Sequence, residues 1–101
     1  MRIDEHEDRT SLTVAGPVRL GEVADWLELA RRAAARGMPV EIDLREAEHM
    51  HAAAWQVTYA LVRELRASGT ACTNLGMSAS ASNACALLGL DDQLLPIRED
   101  A

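Results

Sequence analysis

Residues 40–70 read VEIDLREAEHMHAAAWQVTYALVRELRASGT. Val40, Ile42 and Leu44 alternate with Glu41 and Asp43, the period of a strand with one buried face. From about Ala53 to Ala67 the apolar residues recur at helical spacing, and Ser68-Gly69-Thr70 stops the run. A strand followed directly by a helix predicts a parallel crossover unit, hence an α/β fold. The stretch between them, EHMHAAAWQV from Glu48 to Val57, reads as a junction loop. Such junctions often present a reactive side chain. Here the tip is three consecutive alanines, Ala52 to Ala54, with no hydroxyl, thiol or carboxylate.

The same alternation of strand and helix signals extends outward. Upstream, RIDEH and SLTVAG read as a hairpin around the polar turn EDRT, and the Gly-Pro pair is expected to break the second strand. A helix is predicted from about Glu22 to Arg36. Val23, Trp26, Leu27, Ala30, Ala33 and Ala34 share one face, and Gly37 is a natural stop. Downstream, ACTNLG reads as a strand, SASASNACALLGL as a helix, and QLLPI as a last strand, with Pro96 suited to an edge. The predicted order is β-β-α-β-α-β-α-β: one domain over residues 1–101 with a mixed, mostly parallel sheet and helices packed on it.

Composition narrows the function classes. The chain has 101 residues, a formal net charge of −6, and ten basic side chains that are all arginine. An acidic chain without a basic stripe is a poor partner for nucleic acid or an anionic membrane surface. No apolar run approaches the roughly 20 residues of a membrane span, so no membrane insertion is expected. The acidic amino terminus is unlike a signal peptide. The two cysteines, Cys72 and Cys85, sit among apolar neighbours as reduced thiols do, and the cytoplasm is the expected compartment.

Each candidate for chemistry has a simpler structural reading. Cys72 and Cys85 have no histidine beside them in sequence, as an activated thiol would need, and read as packing residues. His49 and His51, with Glu46 and Glu48, form an H-x-H pattern but lack a further ligand cluster, and His6 is isolated. They read as solvated loop residues rather than a metal site. No phosphate loop or dinucleotide fingerprint is present, and no cofactor is expected. Ser78, Ser80 and Ser82 open a helix. Ser78 or Ser80 suits an N-cap, and a helix start would also favour a phosphate. Trp55, Tyr59 and Val62 fall one helical face away from Ala54, Thr58, Leu61 and Leu65. That gives either a broad core face or a partner surface anchored by two aromatic side chains.

Across nearly the whole chain, the ordered set IDL, RASGT, NLGMSAS and LLGLDD, with LTVAGPVRLGEVADWLELA upstream, resembles the STAS domain. That family is named for sulphate transporters and anti-sigma factor antagonists. The resemblance implies the same mixed sheet and a regulatory role without catalysis. In several members a kinase-like anti-sigma factor phosphorylates a Ser or Thr at the tip of the second helix. Placed on the family pattern Asp-Ser-x-Gly-Leu, this chain has His51, Ala52, Ala53, Ala54 and Trp55, so the phosphorylatable position is Ala52. The acid after the first hairpin falls on Arg19. The resemblance therefore implies a STAS site with its phosphoswitch removed and its local charge reversed by His51 and Arg19.

The resemblance implies a protein partner that docks on Arg19, His51, Ala52, Trp55, Gln56 and Tyr59. A kinase-like anti-sigma factor or another bacterial signalling protein, including a chemotaxis type, is the first expectation. Gln56 is similar to short STAS subunits of lipid-transporting ABC systems, which makes an ABC ATPase the alternative partner. Self-association through Trp55 and Tyr59 as a homodimer is the third reading.

Overall fold

The computed structural model describes residues 1–89. Strands β1 (Arg2–Glu5) and β2 (Thr10–Val18) form the expected hairpin. A single turn of 3-10 helix at Leu20–Glu22 leads into helix α1 (Val23–Ala35). Strand β3 (Val40–Met50), helix α2 (Ala52–Ala67), strand β4 (Cys72–Met77) and helix α3 (Ala79–Leu87) follow. The described sheet is four-stranded in the order β1-β2-β3-β4. β1 runs antiparallel to β2, whereas β2, β3 and β4 are parallel. This is the predicted mixed α/β architecture. The expected last strand, QLLPI, lies outside the described residues.

Alternation along the strands makes the two faces of the sheet unlike. Leu12, Val14, Val40, Ile42 and Leu44 are fully buried on one face. Across the other, the register aligns Asp4 with Ser11, Ser11 with Glu41, and Glu41 with Thr73. Glu41 there accepts from Arg9 Nε at 2.8 Å and from Ser11 Oγ at 3.2 Å. On the apolar side α1 packs against α2. Small residues at Ala30, Ala33 and Ala54, all buried, let the two helices settle closely. Between them the Trp26 indole donates to Thr58 Oγ1 at 3.0 Å, and Thr58 donates on to the Ala54 carbonyl at 2.9 Å. This bond satisfies the indole, which would be costly to bury alone.

Two expectations about the strands are corrected. The Gly-Pro pair does not end β2, which continues through Gly16 and Pro17 to Val18. The pairing with β3 slips between Thr13 and Ala15 and again between Gly16 and Val18. Pro17 falls in the second irregularity, where its missing N–H breaks no regular ladder bond. Gly16 takes φ +80, a conformation open to glycine. The junction after Leu44 is likewise not a loop. β3 runs on to Met50, paired with the continuation of β2 through Ala15↔Glu46, Gly16↔Ala47 and Val18↔Met50. Glu46, Glu48 and His49 are therefore exposed strand residues, and only His51 separates strand from helix.

β4 pairs with β3 only from Val40 to Leu44, and it carries its own bulge. Ile42 faces Asn74 and Asp43 faces Gly76, so Leu75 is the extra residue. Buried Asn74 accepts the Gly76 N–H at 3.0 Å and satisfies a group the ladder leaves out. Beyond Leu44 the open side of β3 is held by Ser78. Its N–H donates to the Leu44 carbonyl at 2.8 Å and its hydroxyl donates to the Ala47 carbonyl.

Candidate functional site

The junction of β3 and α2 is organised around His51. Its backbone N–H donates to the Val18 carbonyl at 2.8 Å, which ties the end of β2 to the helix start. Its carbonyl accepts from Ala54 N at 2.8 Å and from Trp55 N at 3.3 Å. Its imidazole Nδ1 accepts from Ala53 N at 3.0 Å, so histidine acts as the helix N-cap. An acceptor at Nδ1 places the neutral ring's proton on Nε2. Sequence reading missed this role, because N-cap preference favours Ser, Thr, Asp and Asn over His.

Ala52, the first residue of α2, is exposed. Arg19 is exposed too, and it directly follows Val18, whose carbonyl holds His51. The fold thus brings Arg19 and His51 to the same end of the sheet. Arg19 is held by its backbone, with its N–H on Glu22 Oε1 at 3.2 Å. The first turn of α2 contains no acid, so no carboxylate there offsets the positive end of the helix dipole.

Along α2, Ala52, Trp55, Gln56 and Tyr59 line a groove of about 370 Å³ together with Leu88. Gln56 is exposed and Tyr59 half-buried. The Arg63 guanidinium lies over the Tyr59 ring, 5.4 Å from its centre. Trp55 corrects an expectation: at 1 % exposure it is a core residue at the wall of the groove rather than a projecting anchor. Val62 is also fully buried. The wide apolar face of α2 is therefore mainly a broad core face, and the surface that remains is carried by Ala52, Gln56 and Tyr59.

The other candidate residues are dispersed. Burial pushes the Cys72 thiol above its ordinary pKa, which disfavours the reactive thiolate, and Cys85 is buried on α3. Among the described residues no three His, Cys, Asp or Glu side chains come together as a metal site. His51 already uses Nδ1 in its cap. Ser78 is the N-cap of α3, accepting from Ala81 N at 3.0 Å while donating to Ala47. Ser80 and Ser82 are exposed. On the open face of the sheet the Arg45 guanidinium holds the Asp43 carboxyl below its usual pKa. No described helix is long and apolar enough to cross a membrane.

A hairpin leading into parallel β-α-β units, with an exposed helix start beside the end of the first hairpin, defines a STAS-like fold. Solved structures bear this out. The anti-sigma factor antagonist SpoIIAA, in its unphosphorylated form, superposes with a TM-score of 0.77 at 13 % identity, over 98 % of this chain and 88 % of that one. The crystal structure described as Mglu gives a TM-score of 0.64 at 18 % identity, over 77 % of this chain but 20 % of that one. The same fold is thus matched there by a small part of a longer chain. No protein-family model matches the sequence, and no curated protein does.

Proposed function

We propose that this protein is a non-catalytic regulatory domain that docks on a signalling protein through the start of α2 and does so without phosphorylation. The first-choice partner is a kinase-like anti-sigma factor or a related cytoplasmic signalling protein. The observation that supports this reading is Ala52. It stands exposed at the first position of α2, in a fold shared with an anti-sigma factor antagonist. That is the position on which the STAS pattern places its phosphorylatable residue. An alanine there accepts no phosphate, so a docked state would be governed by abundance or by the partner, not by modification of this site.

The contact set is Arg19, His51, Ala52, Gln56 and Tyr59, with Trp55 supporting the surface from beneath. The test is affinity capture with the native protein and with Ala52→Asp, followed by mass spectrometry. Capture of a kinase-like signalling protein that weakens at least tenfold with Ala52→Asp supports the reading, because the new carboxylate adds a charge to the interface. An ABC ATPase retained in the same allele-sensitive way would replace the signalling partner with a transport partner. Equal retention of any partner by both forms would move the interface away from α2.

A further inference from the structure

The outer surface of the α1–α2 pair carries a shallow groove of about 100 Å³. Half-buried Leu27 of α1 and Val57 of α2, with exposed Ala60, form its apolar lining. Arg31 stands exposed on the α1 bank and Glu64 on the α2 bank. Among the described residues, neither side chain has an ion-pair partner, although both line the same groove. Nearby arginines show the contrast. Arg32 donates to Glu5 at 2.8 Å, Arg36 lies 3.6 Å from the same carboxylate, and the Arg63 guanidinium lies over the Tyr59 ring. Glu64 is the one acid of α2.

A groove with one cation and one anion on opposite banks is its own complement. A two-fold axis running along it lays α1 of one copy over α2 of a second copy, and sets each Arg31 against the Glu64 opposite. We propose that this surface is a contact between two copies of the chain, in which two reciprocal Arg31–Glu64 ion pairs flank the apolar strip of Leu27, Val57 and Ala60. The strip supplies the attraction. The charges set the register, because exposed ion pairs add little affinity whereas like charges brought together are strongly disfavoured. At a net charge of −6, two copies repel each other unless they meet on a face whose own charges cancel, and the two charged lining residues here do. The contact is separate from the proposed docking surface, since Ala52 lies roughly 18 Å from Glu64 along α2.

The test is sedimentation equilibrium of the full chain over a concentration series, with the variants Arg31→Glu and Glu64→Arg, both at exposed positions. The native chain is expected to pass from monomer to dimer as concentration rises. Each variant alone brings like charges together twice and is expected to weaken the dimer about tenfold or more. Mixed in equal amounts, the two variants regain both ion pairs between unlike copies, so a heterodimer of near-native affinity is expected. A native chain that stays monomeric up to its solubility limit overturns the proposal. So does a dimer that neither variant weakens, or a weakening that mixing does not repair. A dimer dissolved by Ala52→Asp overturns it as well, because the contact would then lie at the start of α2. No signalling partner enters these readouts, so failure of the dimer and failure of the docking reading are separable.

Discussion

Replacing Thr58 by Val isolates the hydrogen bond that joins α1 to α2. Valine keeps the branched shape and substitutes a methyl for the hydroxyl, and its helix propensity is close to that of threonine. The wild-type hydroxyl accepts from Trp26 Nε1 at 3.0 Å in a site where Thr58 is 1 % exposed and Trp26 fully buried. Removing it leaves an indole N–H buried without an acceptor, at a cost of about 1–3 kcal/mol. The added methyl returns about 0.8 kcal/mol of apolar burial. The Ala54 carbonyl loses only the side-chain donor, since it keeps its place in the helix ladder. The net expectation is a loss of roughly 0.2–2 kcal/mol, which for a domain of this size lowers Tm by at most about 15 °C. Urea unfolding is expected to show a lower midpoint at unchanged slope. The Trp26 indole resonance is expected to move upfield as its acceptor disappears. Thr58→Ser keeps the acceptor and loses a methyl, so its indole resonance should stay in place. A Thr58→Val protein more stable than wild type, or one whose Trp26 indole resonance stays in place, would refute the reasoning, because it would mean the bond contributes nothing beyond the space it fills.

Side-chain geometry elsewhere in the chain sets three further expectations. Arg36 closes the hairpin onto α1, donating to the Arg9 and His6 carbonyls and to Thr10 Oγ1; Arg36→Met should cost about 2–3 kcal/mol in urea melts and loosen amide exchange at residues 6–10 first. His51→Ala removes the N-cap acceptor for Ala53 and should cost about 1 kcal/mol, whereas His51→Asp, a preferred cap, should equal or exceed wild type in thermal melts. Asp43 has its pKa lowered chiefly by the hydrogen bond from Arg45. A lowered pKa adds stability above the unfolded carboxylate range near 4 and loses it as pH falls through the folded value. Because Arg45 is exposed, Asp43→Asn should remove under about 1 kcal/mol of that acid-sensitive stability, seen as a shallower loss of stability below about pH 4 in the mutant than in wild type.

The fold was legible because its signals are local and redundant. Alternation from Val40 to Leu44, the helical stripe of Trp26, Ala30 and Ala33, and glycine after α1 each specify an element, and together they leave few topologies. What the sequence hid depended on contacts between distant segments. The span from Arg45 to Met50 is buried only at Ala47 and Met50, a spacing of three that does not read as a regular strand. It is a strand because β2 runs beside it and absorbs the irregularity in bulges. The Gly-Pro pair misled for the same reason, since proline is tolerated where the ladder already slips. At the site, Ala52 was singled out by the resemblance to the STAS pattern, and the structure places it exposed at the first position of α2. The burial of Trp55 was not legible, because α2 packs against α1 and the sheet, and a two-sided face looks the same in sequence as an exposed one. The capping imidazole of His51 was illegible to residue preference and visible only as a distance.

The junction at His51 also separates what holds the helix from what the helix shows. Backbone demands at the start of α2 are met by the Val18 carbonyl on one side and the His51 ring on the other. The exposed first residue, Ala52, is left out of that arrangement, and substitutions at such positions usually change stability by under about 0.5 kcal/mol. Under the docking proposed for α2, a single codon change there would rewrite the address the domain presents to its neighbours without asking the sheet to refold. On that reading recognition would drift while the scaffold stays still.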